Sequence, residues 1–217
     1  MERAVNYIVK DEADTLSIKS LAYIRDTMDS ARNEGKSNGG EVFTPAWCVV
    51  DMGNLIDDKL RDLKATVLEP ACGTGNILID VVRRKLAAAL RAGGENFVEN
   101  MLWAIKSVYG VDIVSANAVA SRKRIKTLVQ NFYGWVYDPA DGKAEMPAEV
   151  EKAVDDILSK NIIWGDTMSN QDFDRKTSLK VFDWQNNKWD SIGTSDTPQQ
   201  MDMFDMGADA DDEVEDF

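Results

Sequence analysis

The feature that constrains the fold most is a short apolar run that breaks into a glycine turn, residues 66–78 with the sequence TVLEPACGTGNIL. The β-branched and aliphatic residues up to Leu68 suit a buried strand, and Pro70 ends that strand because proline cannot donate to a central ladder. Gly73 and Gly75 can adopt positive φ angles or let a ligand approach the bare backbone. The apolar residues that follow begin a helix whose free N–H groups face the same place. The stretch therefore predicts a strand, a ligand-binding turn and a helix.

Glu69 indicates which ligands suit this turn. A carboxylate beside a helix N-terminus repels a phosphate, and it favours a ligand that presents hydroxyl or ammonium donors. The stretch also lacks the Gly-Lys-Ser/Thr of a P-loop, so neither a P-loop nor a dinucleotide pyrophosphate site is expected. Glycine pairs also occur in turns with a purely structural role, but that alternative must account for Glu69 as well.

Composition excludes several classes of protein. The chain has 217 residues, enough for one domain with a sizeable core, and no apolar run long enough to span a bilayer. It has no histidine, which excludes His-based catalytic triads and zinc sites, and its two cysteines, Cys48 and Cys72, form no disulfide or metal-site spacing. We therefore expect no metal, no membrane partner and a cytoplasmic location, in a bacterium or as a phage protein in a bacterial host.

The acidity of the chain is concentrated at one end. Ten of the 38 acidic residues lie within residues 190–217, which leaves 28 acids and 25 bases in residues 1–189, a net charge of −3. The body is therefore close to neutral, and it lacks the strongly basic balance of a stand-alone DNA-binding protein.

Four stretches occur in an order that is typical of one enzyme family. GEVFTP at residues 40–45 precedes the glycine turn, YGVDI at residues 109–113 follows it, and NIIWGDT lies at residues 161–167. Together with EPACGTGNIL at residues 69–78, they resemble the motifs of DNA adenine-N6 methyltransferases, especially the modification subunits of type I restriction systems. The resemblance covers residues 40–167 and implies S-adenosyl-L-methionine as cofactor.

The resemblance also implies which residues bind that cofactor. The corner at residues 43–45 would hold its methionine end, Asp112 would accept both ribose hydroxyls, and Asp166 would accept from the adenine amino group. The implied set is Phe43, Thr44, Pro45, Glu69, Ala71, Gly73, Gly75, Asp112, Ile113 and Asp166. Structural alternatives are plain helix capping at the corner and a strand-terminating turn aspartate at Asp112.

The periodicity of apolar residues predicts the elements around these motifs. Thr44 is expected to cap a helix that begins at Pro45 and has a core face of Trp47, Val50, Leu55, Ile56 and Leu60. Further helices are expected at residues 76–91, 97–105, 115–132 and 148–158, with strands at residues 107–111 and 161–164. The basic residues at positions 122–126 are expected to form a solvated helix face, with DNA contact as the alternative.

These units predict an α/β fold, a partial doubly wound, Rossmann-like methyltransferase sheet with N-terminal helices and a disordered acidic C-terminal tail. We divide the chain into an N-terminal helix and loop at residues 1–39, a methyltransferase-like domain at residues 40–193 and the tail at residues 194–217.

The base-binding part of the family's motifs is missing. Adenine-N6 enzymes carry an Asn/Asp-Pro-Pro-aromatic turn after their fourth strand, and this chain contains no Pro-Pro. The nearest catalytic candidates are Asp183 and Trp184, in a stretch that equally suits a hairpin turning at residues 185–187. Because the family's fourth strand neighbours the first, we expect residues 179–183 to cover the first strand, with a homo-oligomer or a second subunit as the alternative.

The tail carries QMDMF at residues 200–204, which is similar to the short peptides that dock on the bacterial β sliding clamp. The partner-binding residues of such a peptide would be Gln200, Asp202, Met203 and Phe204.

Two functions are compatible with these sequence features. The first is an S-adenosylmethionine-dependent DNA adenine-N6 methyltransferase, or one part of a split enzyme that acts on DNA with another subunit. The second is a catalytically degenerate binding module recruited to replicating DNA through the clamp. The missing Pro-Pro turn favours the second, whereas the joint presence of Glu69, Asp112 and Asp166 favours the first.

Overall fold

The computed structural model describes residues 44–93 and 96–191. Its helices are α1 (Ala46–Leu55), α2 (Asp57–Leu60), α3 (Asn76–Ala92), α4 (Phe97–Lys106), α5 (Ser115–Tyr137) and α6 (Ala148–Asn161). Its strands are β1 (Val67–Glu69), β2 (Val108–Asp112), β3 (Ile162–Asp166), β4 (Gln171–Asp172), β5 (Thr177–Ser178), β6 (Lys180–Asp183) and β7 (Lys188–Ser191). The elements predicted between residues 66 and 166 are confirmed, with ends that differ by a few residues. None of the described helices is both long and apolar enough to cross a membrane.

Five strands form one sheet in the order β1-β2-β3-β4-β5. The first three are parallel, and β4 and β5 extend the sheet in antiparallel fashion beyond β3. The carboxyl ends of β1, β2 and β3 therefore meet at one edge of the sheet, where the predicted site residues lie. The parallel strands connected by helices confirm the α/β class. Strand order follows the chain without reversal in the described residues, so the doubly wound arrangement stays a prediction.

The two faces of the sheet are covered by different elements. Val108 and Ile162 belong to the main apolar core, which contains residues of each described helix from α1 to α6. Since successive side chains of a strand point to opposite faces, Val111 and Ile163 lie on the other side, where they pack with Leu179. The helices that position the glycine turn thus share one face of the sheet.

The expectation that residues 179–183 cover β1 is wrong. β6 pairs with β7 in an antiparallel hairpin instead, as the alternative interpretation predicted. Two hydrogen bonds hold the hairpin near the amino ends of β2 and β3. The Tyr109 hydroxyl donates to the carbonyl of Phe182 at 2.8 Å. The indole N–H of Trp184 donates to the side chain of Asn161 at 2.9 Å. β1 pairs only with β2 among the described strands.

The predicted core face of α1 is also wrong for three of its five residues. Trp47 is 68% exposed, Leu55 86% and Ile56 42%, whereas Val50 and Leu60 are buried as expected. The buried side of α1 is formed by small residues, Ala46, Val49, Val50 and Gly53. Pro45 is the N-cap of the helix, with ψ at 152°, and not its first helical residue.

A buried ion cluster explains which side of α1 faces inward. Asp80 of α3 accepts hydrogen bonds from Arg83 at 2.7 Å and from Arg84 at 2.7 Å, and all three side chains are buried. Arg84 also donates to Asp57 of α2 at 2.7 Å and to Asn54 of α1 at 2.9 Å. The cluster therefore fastens α1 and α2 to α3, the helix that begins at the glycine turn.

Candidate functional site

The glycine turn has the backbone conformation that the sequence predicts. Gly73 has a φ of 53° and Gly75 a φ of 89°, both in the left-handed region that favours glycine. A Cβ atom on Gly75 would also lie 2.5 Å from the hydroxyl oxygen of Ser121, on α5. Position 75 therefore requires glycine both for its φ angle and for the close approach of α5.

Asp112 is held against this turn at the end of β2. One carboxylate oxygen accepts from the Gly73 N–H at 2.7 Å, and the other accepts from the Val114 N–H at 2.9 Å and from the Asn117 side-chain amide at 3.1 Å. The Asp112 side chain is buried, and the neighbouring Ile113 is exposed. The strand-terminating role and a ligand-binding role are thus compatible, because the same contacts that end the strand also orient the carboxylate.

The loop after β3 reaches the same edge. The Thr167 hydroxyl donates to the Pro70 carbonyl at 2.6 Å, which joins the loops that follow β3 and β1. Asp166 accepts from the Met168 N–H at 2.9 Å and from the Ser169 hydroxyl at 2.6 Å. The hydrogen bond from Ser169 holds the pKa of Asp166 below its ordinary value, so this carboxylate is ionised at neutral pH.

Glu69 completes the acidic edge. It is the last residue of β1, and its side chain accepts from the backbone N–H of Ala71 at 3.3 Å. Glu69, Asp112 and Asp166 therefore end three adjacent parallel strands, at the edge that carries the glycine turn. Carboxylates placed in this way accept hydrogen bonds from hydroxyl, amino or ammonium groups.

The first turn of α3 connects the glycine turn to the corner at residues 44 and 45. Asn76 donates from its side chain to the Thr44 carbonyl at 3.0 Å. Arg124 of α5 donates to the Thr74 carbonyl at 2.6 Å and to the Asn76 side chain at 2.9 Å. Thr44 and Pro45 thus lie beside the turn, while Phe43 lies outside the described residues. Their role in holding the methionine end of the cofactor stays a prediction.

Asn76 and Arg124 hold the glycine turn in place, a role that the sequence motifs did not indicate. The sequence feature that points to Asn76 is its polar side chain, at the first position of a helix whose next residues are mostly apolar. The basic run of α5 has mixed roles, since Arg122 donates to the Ile162 carbonyl at 2.8 Å and Lys126 pairs with Asp155 at 2.8 Å. Because these two side chains and Arg124 have partners within the fold, the run does not form a simple solvated face.

Cys72 lies in the turn but is unsuited to nucleophilic chemistry. Burial, with smaller contributions from the charges of Asp112 and Glu69, raises the pKa of the Cys72 thiol to about 12. The reactive form of cysteine is the thiolate, so this side chain stays in its unreactive form at neutral pH.

The catalytic candidates Asp183 and Trp184 are not brought to the site. Asp183 accepts from the N–H groups of Gln185 and Asn186 at 2.8 and 3.0 Å and thereby forms the hairpin turn. Trp184 donates to Asn161, which in turn donates to the Val108 carbonyl at the amino end of β2. The length of β2, roughly 13 Å at about 3.3 Å per residue, separates that end from the glycine turn. Both residues therefore lie toward the end of β2 that is opposite the glycine turn.

Comparison with known proteins agrees with this geometry. A family model described as N-6 DNA methylase matches residues 25–117, a range that contains the glycine turn and Asp112. The chain resembles the adenine-N6 DNA methyltransferases. This match supports a methylase-like function at the level of the family, whose members use S-adenosylmethionine. It stops before Asp166, and the chain matches no curated protein and no solved structure.

Proposed function

We propose that this methylase-like chain binds S-adenosylmethionine and forms the cofactor-binding part of a DNA adenine-N6 methyltransferase. The observation that carries the proposal is the hydrogen bond of 2.7 Å between the Gly73 N–H and the Asp112 carboxylate. It joins the glycine turn to the acidic end of the next strand, at the edge of the sheet where ligands of parallel α/β sheets bind.

The residues present fit this cofactor. S-adenosylmethionine offers two ribose hydroxyls, an adenine amino group and an ammonium group, and the edge offers three carboxylates as acceptors. Asp112 would hold the ribose and Asp166 the adenine amino group. Glu69 and the corner at residues 44 and 45 suit the methionine end of the cofactor. The Glu69 carboxylate would accept from the ammonium group of that end, whereas it would repel a phosphate group.

Methyl transfer also needs groups that hold the target base. When bound, S-adenosylmethionine would supply a sulfonium methyl group; on transfer to adenine N6 the electron pair of the carbon–sulfur bond would stay on sulfur and one N6 proton would leave. An acceptor beside N6 and an aromatic ring against the flipped base would orient the adenine. With no Pro-Pro in the sequence, and with Asp183 and Trp184 at the opposite end of β2, we infer that this part comes from outside these 217 residues.

A degenerate binding module is the second candidate function. The missing base-binding turn favours it, because a pocket for S-adenosylmethionine alone does not methylate DNA. The proposed recruiting peptide, with Gln200, Asp202, Met203 and Phe204, lies outside the described residues and stays a prediction, as do the disordered tail and the division into three regions.

We expect the full chain alone to transfer little or no methyl group to DNA. The assay measures incorporation of a tritiated methyl group from labelled S-adenosylmethionine into adenine of double-stranded DNA. The variant Asp183→Ala should behave like the wild type, because this side chain serves the hairpin turn. Robust transfer that disappears in Asp183→Ala would contradict both the placement of the site and the need for a second component.

A further inference from the structure

We propose that the acidic segment at residues 192–217 docks, within the same chain, on a surface of lysines and aromatic rings near the amino ends of β2 and β3. This surface, the cation–ring stripe, consists of Lys64, Trp103, Lys106, Trp184 and Lys160. Docking there is independent of S-adenosylmethionine binding, because Trp184 is anchored at the end of β2 that is opposite the glycine turn.

Cations and rings alternate along the stripe. The ring centroid of Trp103 lies 5.0 Å from Lys64 Nζ and 4.9 Å from Lys106 Nζ. Lys106 Nζ is also 5.4 Å from the ring centroid of Trp184, and Lys160 Nζ is 4.9 Å from the same centroid. Separations within about 6 Å are those of cation–π contacts. The four contacts therefore join the segment before β1, the helices α4 and α6 and the hairpin into one continuous surface.

Two of the three lysines of the stripe lack a counter-charge. In the part of the chain that the structure describes, neither Lys64 nor Lys106 lies within ion-pair distance of a carboxylate. Asp62, close to Lys64 along the chain, accepts instead from the backbone N–H of Lys64 at 2.9 Å. Lys160, in contrast, pairs with Asp156 at 2.8 Å. The stripe therefore offers two ammonium groups to carboxylates from outside the described fold.

The rings hold these ammonium groups in position. Lys106 contacts two rings, so its side chain is already ordered and loses less rotamer freedom when an anion binds. Rings that are covered by lysines are also less accessible for stacking of nucleic-acid bases. The stripe therefore suits a run of carboxylates better than a single-stranded nucleic acid.

The acidic segment follows directly from the hairpin that carries Trp184. Ser191 ends β7 and pairs with Lys180, which places it about 13 Å from the hairpin turn, at about 3.3 Å for each residue of β7. Five more residues in extended conformation span about 17 Å and lead to Asp196. Residues 192–217 contain nine acidic residues and no Lys or Arg. The segment therefore has both the reach and the charge to cover the stripe.

The covalent connection makes weak contacts effective. Exposed ion pairs contribute little individually. A tethered segment, however, reaches an effective concentration of about millimolar at a surface of its own chain, so contacts with a Kd of about 1 mM would be occupied about half of the time. Docking is therefore expected even though each carboxylate binds weakly.

The test uses the full ¹⁵N-labelled chain with a nitroxide spin label in the acidic segment. The label is attached to the variant Ala208→Cys in a Cys48→Ser background, since the other cysteine, Cys72, is buried. We expect the signals of Trp103 and Lys106 to lose about half of their intensity, in line with half occupancy. Signals of the glycine turn, at the opposite end of β2, should keep theirs. Full intensity at Trp103 and Lys106 would overturn the proposal.

Charge variants make the test specific. Lys64→Gln combined with Lys106→Gln removes both charges but keeps most of each aliphatic stem, so the loss of intensity at Trp103 should disappear. The matched control is Lys123→Gln, at an exposed lysine of α5 outside the stripe, which should leave the loss unchanged. The loss should also disappear at about 1 M NaCl, where the Debye length is about 3 Å. An equal loss in all these variants, or one insensitive to salt, would contradict the proposal.

Two other occupants give different results. A ¹⁵N-labelled chain without spin label is mixed with a spin-labelled chain without ¹⁵N; an equal loss of intensity there would mean that a second copy supplies the acidic segment, and it would overturn docking within one chain. Oligothymidine is the nucleic-acid probe. If it shifted the signals of Trp103 and Lys106 while the spin label had no effect on them, the stripe would be a nucleic-acid site and the proposal would be overturned.

Discussion

Replacement of Asp112 by Ala is expected to weaken S-adenosylmethionine binding by about 1–3 kcal/mol, which corresponds to roughly a 5- to 150-fold rise in Kd. The carboxylate accepts from Gly73, Val114 and Asn117, and in the proposed complex also from the ribose hydroxyls. The substitution removes this acceptor, so the buried hydroxyls of the bound cofactor are left unpaired. Isothermal titration calorimetry measures the change in Kd.

A ligand control separates the ribose contact from damage to the turn. 5′-Methylthioadenosine and its 2′,3′-dideoxy analogue differ only in the ribose hydroxyls. If Asp112 accepts from those hydroxyls, Asp112→Ala should weaken binding of the parent nucleoside and leave binding of the dideoxy analogue almost unchanged. An equal loss for both ligands would mean that Asp112 only shapes the turn.

Replacement of Asp80 by Ala is expected to lower the free energy of unfolding by about 3–5 kcal/mol. Asp80 is buried with Arg83 and Arg84, at 2.7 Å from each, and its removal leaves two buried guanidinium groups without this counter-charge. Because Arg84 also bonds to Asp57 and Asn54, the loss should loosen α1 and α2 as well. Urea denaturation followed by circular dichroism measures the change.

The matched control is Asp58→Ala. Asp58 is an aspartate of α2 whose side chain is 99% exposed and lies 3.9 Å from Arg61. Exposed ion pairs of this kind contribute little, so the control should stay within about 0.5 kcal/mol of the wild type. If Asp80→Ala proved as mild as Asp58→Ala, the ion cluster would not be what fastens α1 and α2 to α3.

The glycine turn could be predicted from sequence because its chemistry is local. Pro70 ends a strand, Gly73 and Gly75 permit positive φ, and apolar residues at helical spacing follow. The same holds for the strand ends at Asp112 and Asp166, where a carboxylate follows a short apolar run. The hairpin at residues 180–191 was predictable as an alternative, since Asp183 and the following polar residues are typical of a turn.

The arrangement of the elements could not be predicted, because it depends on long-range partners. Helical periodicity marks Trp47 and Leu55 as apolar but does not show that α1 docks on α3 through its small residues. Charged residues such as Asp80, Arg83 and Arg84 suggest an exposed helix face until their mutual pairing is known. The position of β1 at the end of the sheet, among the described strands, likewise depends on where β6 packs, which the sequence of β1 does not determine.

The proposed function depends on one claim, that the edge formed by Glu69, Asp112 and Asp166 binds S-adenosylmethionine. An NMR titration of the ¹⁵N-labelled full chain tests it residue by residue. We predict chemical-shift changes at the amides of Gly73, Gly75 and the residues beside Asp112 and Asp166, with no change at Asp183, which lies at the far end of β2. Absence of any change at the glycine turn at millimolar ligand, or changes confined to the hairpin around Asp183, would contradict the claim.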